Sequence, residues 1–230
     1  VREFTADEIK SLNCEKMGAD LGELYSALWQ ELAQCWHYWE LYVELFGSRE
    51  SRVALLNDAA PSFFSAIQDV FWERTLLHLA RLTDPATSMG REDRKNLSVK
   101  GMLRLIDDDK LRANVSDLID EADKKTEFAR DWRNRLLAHR DLDVALNRSA
   151  RPLTVGSRAS VKEALHALDA VLNEVETHYL DSVVSCEDGF AFGDAGILLN
   201  VVDDGLRFRA MRDERIDRGE RDEAFMPREV

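Results

Sequence analysis

The chain has 230 residues, 45% of them hydrophobic, and 31 Lys and Arg against 44 Asp and Glu give a formal charge of −13. That is ample apolar material for one large or two small cores, and only 4 Pro and 11 Gly favour helix over sheet. The negative balance opposes diffuse binding to a polyanion, so any nucleic-acid chemistry has to sit in a few concentrated arginines or in a cleft formed where two chains meet.

No apolar run of about 18 residues occurs, and Val1-Arg2-Glu3-Phe4-Thr5 lacks a basic-then-apolar leader, so a cytoplasmic protein without a membrane partner is expected. Cys14, Cys35 and Cys186 stand at wide spacings without a CxxC pair, which indicates neither a disulfide frame nor a cysteine zinc site.

From Asp20 to Phe46, Leu21, Leu24, Tyr25, Leu28, Leu32, Cys35, Trp39, Tyr42, Val43 and Phe46 recur at three and four, the helical signature, with Gly47 as the stop. A short helix over about Arg49–Asn57 follows, and Pro61 opens another that ends at Thr83-Asp84-Pro85. This helix has two apolar faces, Phe63, Phe64, Ile67, Val70 and Phe71 on one and Trp72, Leu76 and Leu79 on the other, which suits the centre of a bundle. Arg74, His78 and Arg81 run along it at i, i+4 and i+7.

Residues 84–97 lack periodicity and read as a surface loop. Ser98 can cap a short helix through Ile106, and a long helix is expected over Leu111–His139. Residues 141–158 read as a second loop, and Ser160 with Glu163 forms a potential capping box for a helix carrying Val161, Leu165, Leu168, Leu172, Val175 and Tyr179. An amphipathic stretch from about Ala195 to Arg212 reads as helix, with a hairpin over Ile197–Val202 as the rival. The division is therefore an N-terminal segment (1–19), a helical bundle (20–182), and a C-terminal extension with a frayed charged tail (183–230).

The feature that points to chemistry is Trp132-Arg133-Asn134-Arg135-Leu136-Leu137-Ala138-His139. On a straight wheel with Trp132 at zero, Val115, Leu118, Ile119, Ala122, Ala129, Leu136 and Leu137 fall between roughly 40° and 140°, and Arg133 falls at about 100° among them. A guanidinium keeps its proton and is costly to bury alone, so it should face an anion, a partner subunit or a solvated cleft. Asp69 and Glu73 are candidate partners within the chain. Six residues of straight helix turn His139 away from Arg133 by about 240°, so a shared site needs the helix to end early or a two-fold interface that supplies the pair twice.

The structural readings of the other candidates are a solvated Arg135, an ion-pair line for Arg74, His78 and Arg81, and core positions for Trp29, Trp36, Trp39, Trp72 and Trp132. Asp107-Asp108-Asp109 and Asp203-Asp204 lack ligand spacing and read as solvated turns, so no metal and no cofactor is expected.

Arg133, Asn134 and His139 together match the Arg-polar-x(4)-His pattern of HEPN ribonucleases. The segment Asp69-Val-Phe-Trp-Glu-Arg-Thr-Leu-Leu-His-Leu-Ala-Arg-Leu-Thr-Asp84 resembles the abortive-infection U-type (AbiU2-like) branch of that superfamily. The resemblance spans roughly residues 20–180 and implies an all-α, HEPN-like bundle with an up-and-down core and a C-terminal helical extension, assembled as a homodimer.

Active members cut RNA without metal to leave a 2′,3′-cyclic phosphate, in phage defence or toxin–antitoxin systems. By that resemblance His139 is the general acid or base, Arg133 grips the scissile phosphate, and Asn134 orients one or the other. Arg135, Arg74, His78 and Arg81 are secondary substrate-binding candidates. An antitoxin or nucleotidyltransferase-type partner is also implied. The tyrosine that such a transferase modifies two residues after the histidine is replaced here by Asp141, which argues against that control. The alternative functions are a catalytically silent HEPN-like module that binds a protein or nucleotide, and a purely structural dimer.

Overall fold

The computed structural model describes residues 5–88, 91–138, 142, 146, 152–185, 187 and 193–220. Among the described residues the fold is all-α apart from one small hairpin. Helix α1 (Ala6–Met17) opens on a capping box in which the Thr5 side chain accepts from the Glu8 N–H and Glu8 accepts from the Thr5 N–H. Gly18, at φ 86°, makes the turn into α2 (Ala19–Tyr42). Gly22 lets these two helices touch backbone to backbone, since a Cβ there would stand 2.5 Å from Asn13 C and O and from Cys14 Cα. A wide, π-type turn, Val43–Gly47, follows α2, so the stop expected at Gly47 falls where the sequence places it.

Next come α3 (Glu50–Ala59) and α4 (Pro61–Leu82). The expected central role holds only for the second half of α4, where Leu76, Leu79, Ala80 and Leu82 are fully buried. In its first half Phe64 is buried but Phe63 and Val70 are 60% and 55% exposed. Residues 84–97 are not all loop: β1 (Thr87–Ser88) pairs antiparallel with β2 (Arg91–Lys95), and no apolar–polar alternation marked them because β1 has two residues and β2 is charged throughout.

Ser98 caps a 3₁₀ turn, Val99–Arg104, through the Lys100 N–H. The middle aspartate of Asp107-Asp108-Asp109 is not simply solvated. Asp108 caps α5 (Asp109–Lys125) by accepting from the Leu111 N–H at 2.7 Å.

The long helix expected over Leu111–His139 is broken. It consists of α5, a junction at Thr126 (φ −100°, ψ 2°), α6 (Glu127–Trp132) and a wide turn, Arg133–Leu137. Helix α7 (Arg158–Leu180) is capped by Ser157, whose side chain accepts from the Ser160 N–H. The cap lies three residues before the Ser160 expected from the sequence, because Ser160 is itself the third residue of the helix. Helix α8 (Asp194–Asp217) takes the helical reading over the hairpin and carries Asp203 and Asp204 inside it rather than in a turn.

The chain forms two compact units, one of Val1–Trp39 with Trp72–Phe190 and one of Glu40–Phe71 with Ala191–Val230. In the first, Leu21, Leu28 and Leu32 of α2, Leu76 and Leu79 of α4, Val115 and Ile119 of α5, and Val161, Leu165, Leu168, Leu172 and Val175 of α7 form the core. Trp36 and Trp39 are buried there and Trp29, Trp72 and Trp132 half-buried. The Trp39–Trp72 and Trp72–Trp132 ring centroids lie 6.4 and 6.2 Å apart, so three of the five indoles form a continuous row.

In the second unit, Leu45, Leu56, Phe64, Ala195 and Leu199 form the core. Among the described residues no helix is long and apolar enough to cross a membrane; Cys35 is buried and Cys14 half-buried, while Cys186 lies outside those residues.

Candidate functional site

Thr126 ends α5 by turning its hydroxyl back onto the Ala122 carbonyl at 2.8 Å, which competes with continuation of the helix. One turn later Arg130 fills the resulting corner. Its Nη1 donates to Thr83 Oγ1 at 2.7 Å and Thr126 Oγ1 at 2.8 Å, and its Nη2 donates to the Asp123 carbonyl at 2.5 Å. Thr83 and Thr126 are fully buried and 3.0 Å apart through their hydroxyls, so the ends of α4 and α5 meet in a satisfied polar knot. Lys100 adds an ion pair to Asp123 at 2.6 Å.

Residues 152–154 clasp the next turn. The Asp131 carboxylate accepts from Thr154 N–H at 2.8 Å and Thr154 Oγ1 at 3.0 Å, and Trp132 Nε1 donates to the Thr154 carbonyl at 2.8 Å. Burial pushes the Asp131 carboxyl up, but the two Thr154 hydrogen bonds and the Arg135 charge more than offset it and hold it below the usual carboxylate range.

Arg133 stands between knot and clasp. Its Nη1 reaches both oxygens of Asp84 at 2.5 Å, and the two side chains are 21% and 22% exposed. Its Nε donates to Asn134 Oδ1 at 3.1 Å. The guanidinium therefore has an anion within the chain, as its charge requires, but the partner is Asp84 rather than the exposed Asp69 or Glu73. Ser98 Oγ donates to the Asp84 backbone carbonyl at 2.5 Å and fixes that end of the pair.

Arg135 is turned elsewhere, to the Pro152 carbonyl at 3.3 Å and to Asp131 at 3.6 Å, so it is half-buried rather than simply solvated. His139 and Asp141 lie outside the described residues.

Arg74, His78 and Arg81 face α2 and share no partner with Arg133. Arg74 lies over the Tyr38 ring at 5.6 Å, and Arg81 reaches Glu31 at 3.4 Å. His78 is fully buried with Nδ1 2.7 Å from Glu31 Oε1, an ion-pair distance without hydrogen-bond alignment, so both ring nitrogens lack a hydrogen-bond partner. Burial is the main influence on this imidazole and pushes it below its ordinary value, with Arg74 and Arg81 adding to the shift against the opposing pull of Glu31. The three side chains thus meet α2, His78 and Arg81 at Glu31 and Arg74 at the Tyr38 ring.

Among the described residues no group of three or more His, Cys, Asp or Glu side chains could hold a metal. What the site offers is a half-buried guanidinium on a wide turn, an exposed amide beside it, and a neighbouring carboxylate that any incoming anion must displace or share. Asp84 and Arg130 were the residues the sequence did not reveal. Thr83-Asp84-Pro85 reads only as a helix stop, and its separation from Arg133 by 49 positions leaves no periodic trace.

The family model described as AbiU2 (HEPN_AbiU2) matches residues 18–196, most of the chain, and encloses Asp84 and the whole 133–139 segment. The chain belongs to the HEPN AbiU2 family. No curated protein and no solved structure matches it. The matched residues run from the start of α2 to the start of α8, and α1 precedes them.

Proposed function

We propose that this HEPN AbiU2 member is a metal-independent endoribonuclease acting as a homodimer in phage defence or a toxin–antitoxin system. The observation that carries the reading is that the family match encloses Arg133, Asn134 and His139 in the Arg-polar-x(4)-His order. Arg133, presented on a turn and still partly exposed, supports it. In this reading one imidazole removes the proton of a ribose 2′-hydroxyl as that oxygen attacks phosphorus. The bond to the 5′-oxygen breaks, the leaving oxygen takes a proton from the partner's His139, and a 2′,3′-cyclic phosphate remains. Arg133 holds a non-bridging oxygen as charge develops.

The test is incubation of a mixed RNA pool with the purified protein in chelator. Cleavage with cyclic-phosphate ends is expected for the parent and at least about a hundred-fold less for Arg133→Ala or His139→Ala, both still folded by circular dichroism. Undiminished cutting by both variants overturns the assignment.

A second reading, a catalytically silent module that binds a protein or nucleotide partner, is favoured by the Arg133–Asp84 ion pair, which already satisfies the guanidinium within the chain. RNA left intact by protein that elutes with such a partner, an antitoxin included, selects it.

A further inference from the structure

A cavity of about 260 Å³ lies among α1, α2, α7 and the segment just after α7, and its lining shares no residue with the Arg133 site. Its walls are apolar, with Ile9, Trp29, Ala33 and Val184 among them. Ile9 and Val184 are 47% and 38% exposed, so the cavity opens to solvent. Its floor holds Glu176, an acid only 6% exposed. One carboxylate oxygen accepts from the Tyr25 hydroxyl and the other from Ser182 Oγ at 2.7 Å.

Both donors are neutral. Among the described residues no lysine, arginine or histidine stands within ion-pair distance of Glu176. A buried carboxylate is ordinarily matched by a cation, and here the space beside it is empty of one. The other polar side chains of the lining, Asn13, Tyr25, Ser26 and Gln30, are neutral, and Asn13 donates to Ser26 Oγ at 3.0 Å.

We propose that this cavity binds a small organic ammonium with a ring, its cation on Glu176 and its ring against Trp29. An anion is excluded by the floor, and a neutral apolar molecule would leave the carboxylate as it is. A divalent metal would find too few ligands, since Glu176 is the one acid in the lining. The size fits, because a cavity of about 150 Å³ holds benzene and this one has room for an aminoalkyl arm as well. Trp29 adds cation–π attraction to the electrostatic match. The proposal does not depend on the RNA reading.

Calorimetric titration of the full chain with phenethylammonium, and with 2-phenylethanol as the neutral counterpart, tests it. Saturable binding of the ammonium is expected, at least about ten-fold tighter than the alcohol. Glu176→Gln, which can still accept from Tyr25, removes that preference, and Ala33→Phe, which fills the cavity, removes binding of both probes. Absence of saturable ammonium binding to the parent overturns the proposal, as do equal affinities for the two probes or a preference that survives in Glu176→Gln. If Glu176→Gln does not fold, Ala33→Phe decides: undiminished ammonium binding to that variant overturns it.

Discussion

Arg130 and Arg133 sit three positions apart and do different work. Arg130 is consumed by hydroxyl and carbonyl acceptors and by the Asp123 carboxylate at 3.4 Å, which together hold the ends of α4 and α5. Arg133 has one carboxylate partner, which an incoming phosphate could exchange. Asp84→Asn separates the two readings of the site. Loss of a half-buried ion pair lowers stability by about 1–2 kcal/mol in either case, measured by urea unfolding. If Arg133 grips phosphate, the same variant binds or cuts RNA more strongly than the parent, because the guanidinium no longer has an anion of its own. If the ion pair serves only the fold, RNA behaviour is unchanged. The anomaly of Arg133 was visible in the sequence, as a fixed charge among Leu136, Leu137 and Ala129. Its resolution was not, because the partner lies beyond a helix end, a hairpin and a whole further helix.

At the scale of elements, periodicity was a good guide to where helices run and a poor one to where they change pitch. Pro61–Leu82 has the bounds its proline and its Thr-Asp-Pro stop suggest. The 111–139 stretch keeps its apolar spacing through Thr126, yet the Thr126 hydroxyl and the wide turn at Arg133–Leu137 each reset the phase. A wheel drawn with one pitch therefore cannot say which way Arg133 points. Ser157 displaced Ser160 as the α7 cap for a similar reason: both serines precede the apolar run, and only the backbone, extended at Ser157, distinguishes them.

The contact between α1 and α2 depends on one missing side chain. Gly22→Ala would drive a methyl into the Asn13 and Cys14 backbone, which cannot yield as a flexible side chain can. A loss of about 1–3 kcal/mol in chemical denaturation is expected. Because Ile9 and Asn13 line the Glu176 cavity, ammonium binding should weaken alongside.

For the molecule as a whole, the all-α class and the family were both legible, the second because its motif stands in a sequence with helical spacing. The pH response was not, since it arises from burial. Asp169 is pushed up to about 7, chiefly by burial, against the two hydrogen bonds from Trp36 Nε1 at 3.2 and 3.1 Å, with Glu187 adding to the rise. The folded state therefore holds a proton that the unfolded chain, with its carboxyl near 3.8, releases, and this group's contribution to stability falls as pH rises from about 4 to 7.

His78 acts in the opposite sense. Its depressed folded value costs stability as pH drops below 6.5, where the unfolded chain takes up a proton. Asp169→Asn isolates the first effect, since the histidine contribution cancels in the comparison. Relative to the parent, the variant should gain about 1–3 kcal/mol between pH 4 and pH 8, read from urea midpoints at each pH.

The row formed by Trp39, Trp72 and Trp132 gives the molecule an optical gauge of its own. Trp132 is the residue immediately before the wide turn that carries Arg133, and its ring touches an indole that touches a third in the core. Light absorbed anywhere along the row can be emitted at the end nearest the guanidinium. A shift of that turn therefore announces itself in the protein's intrinsic emission, with no label attached.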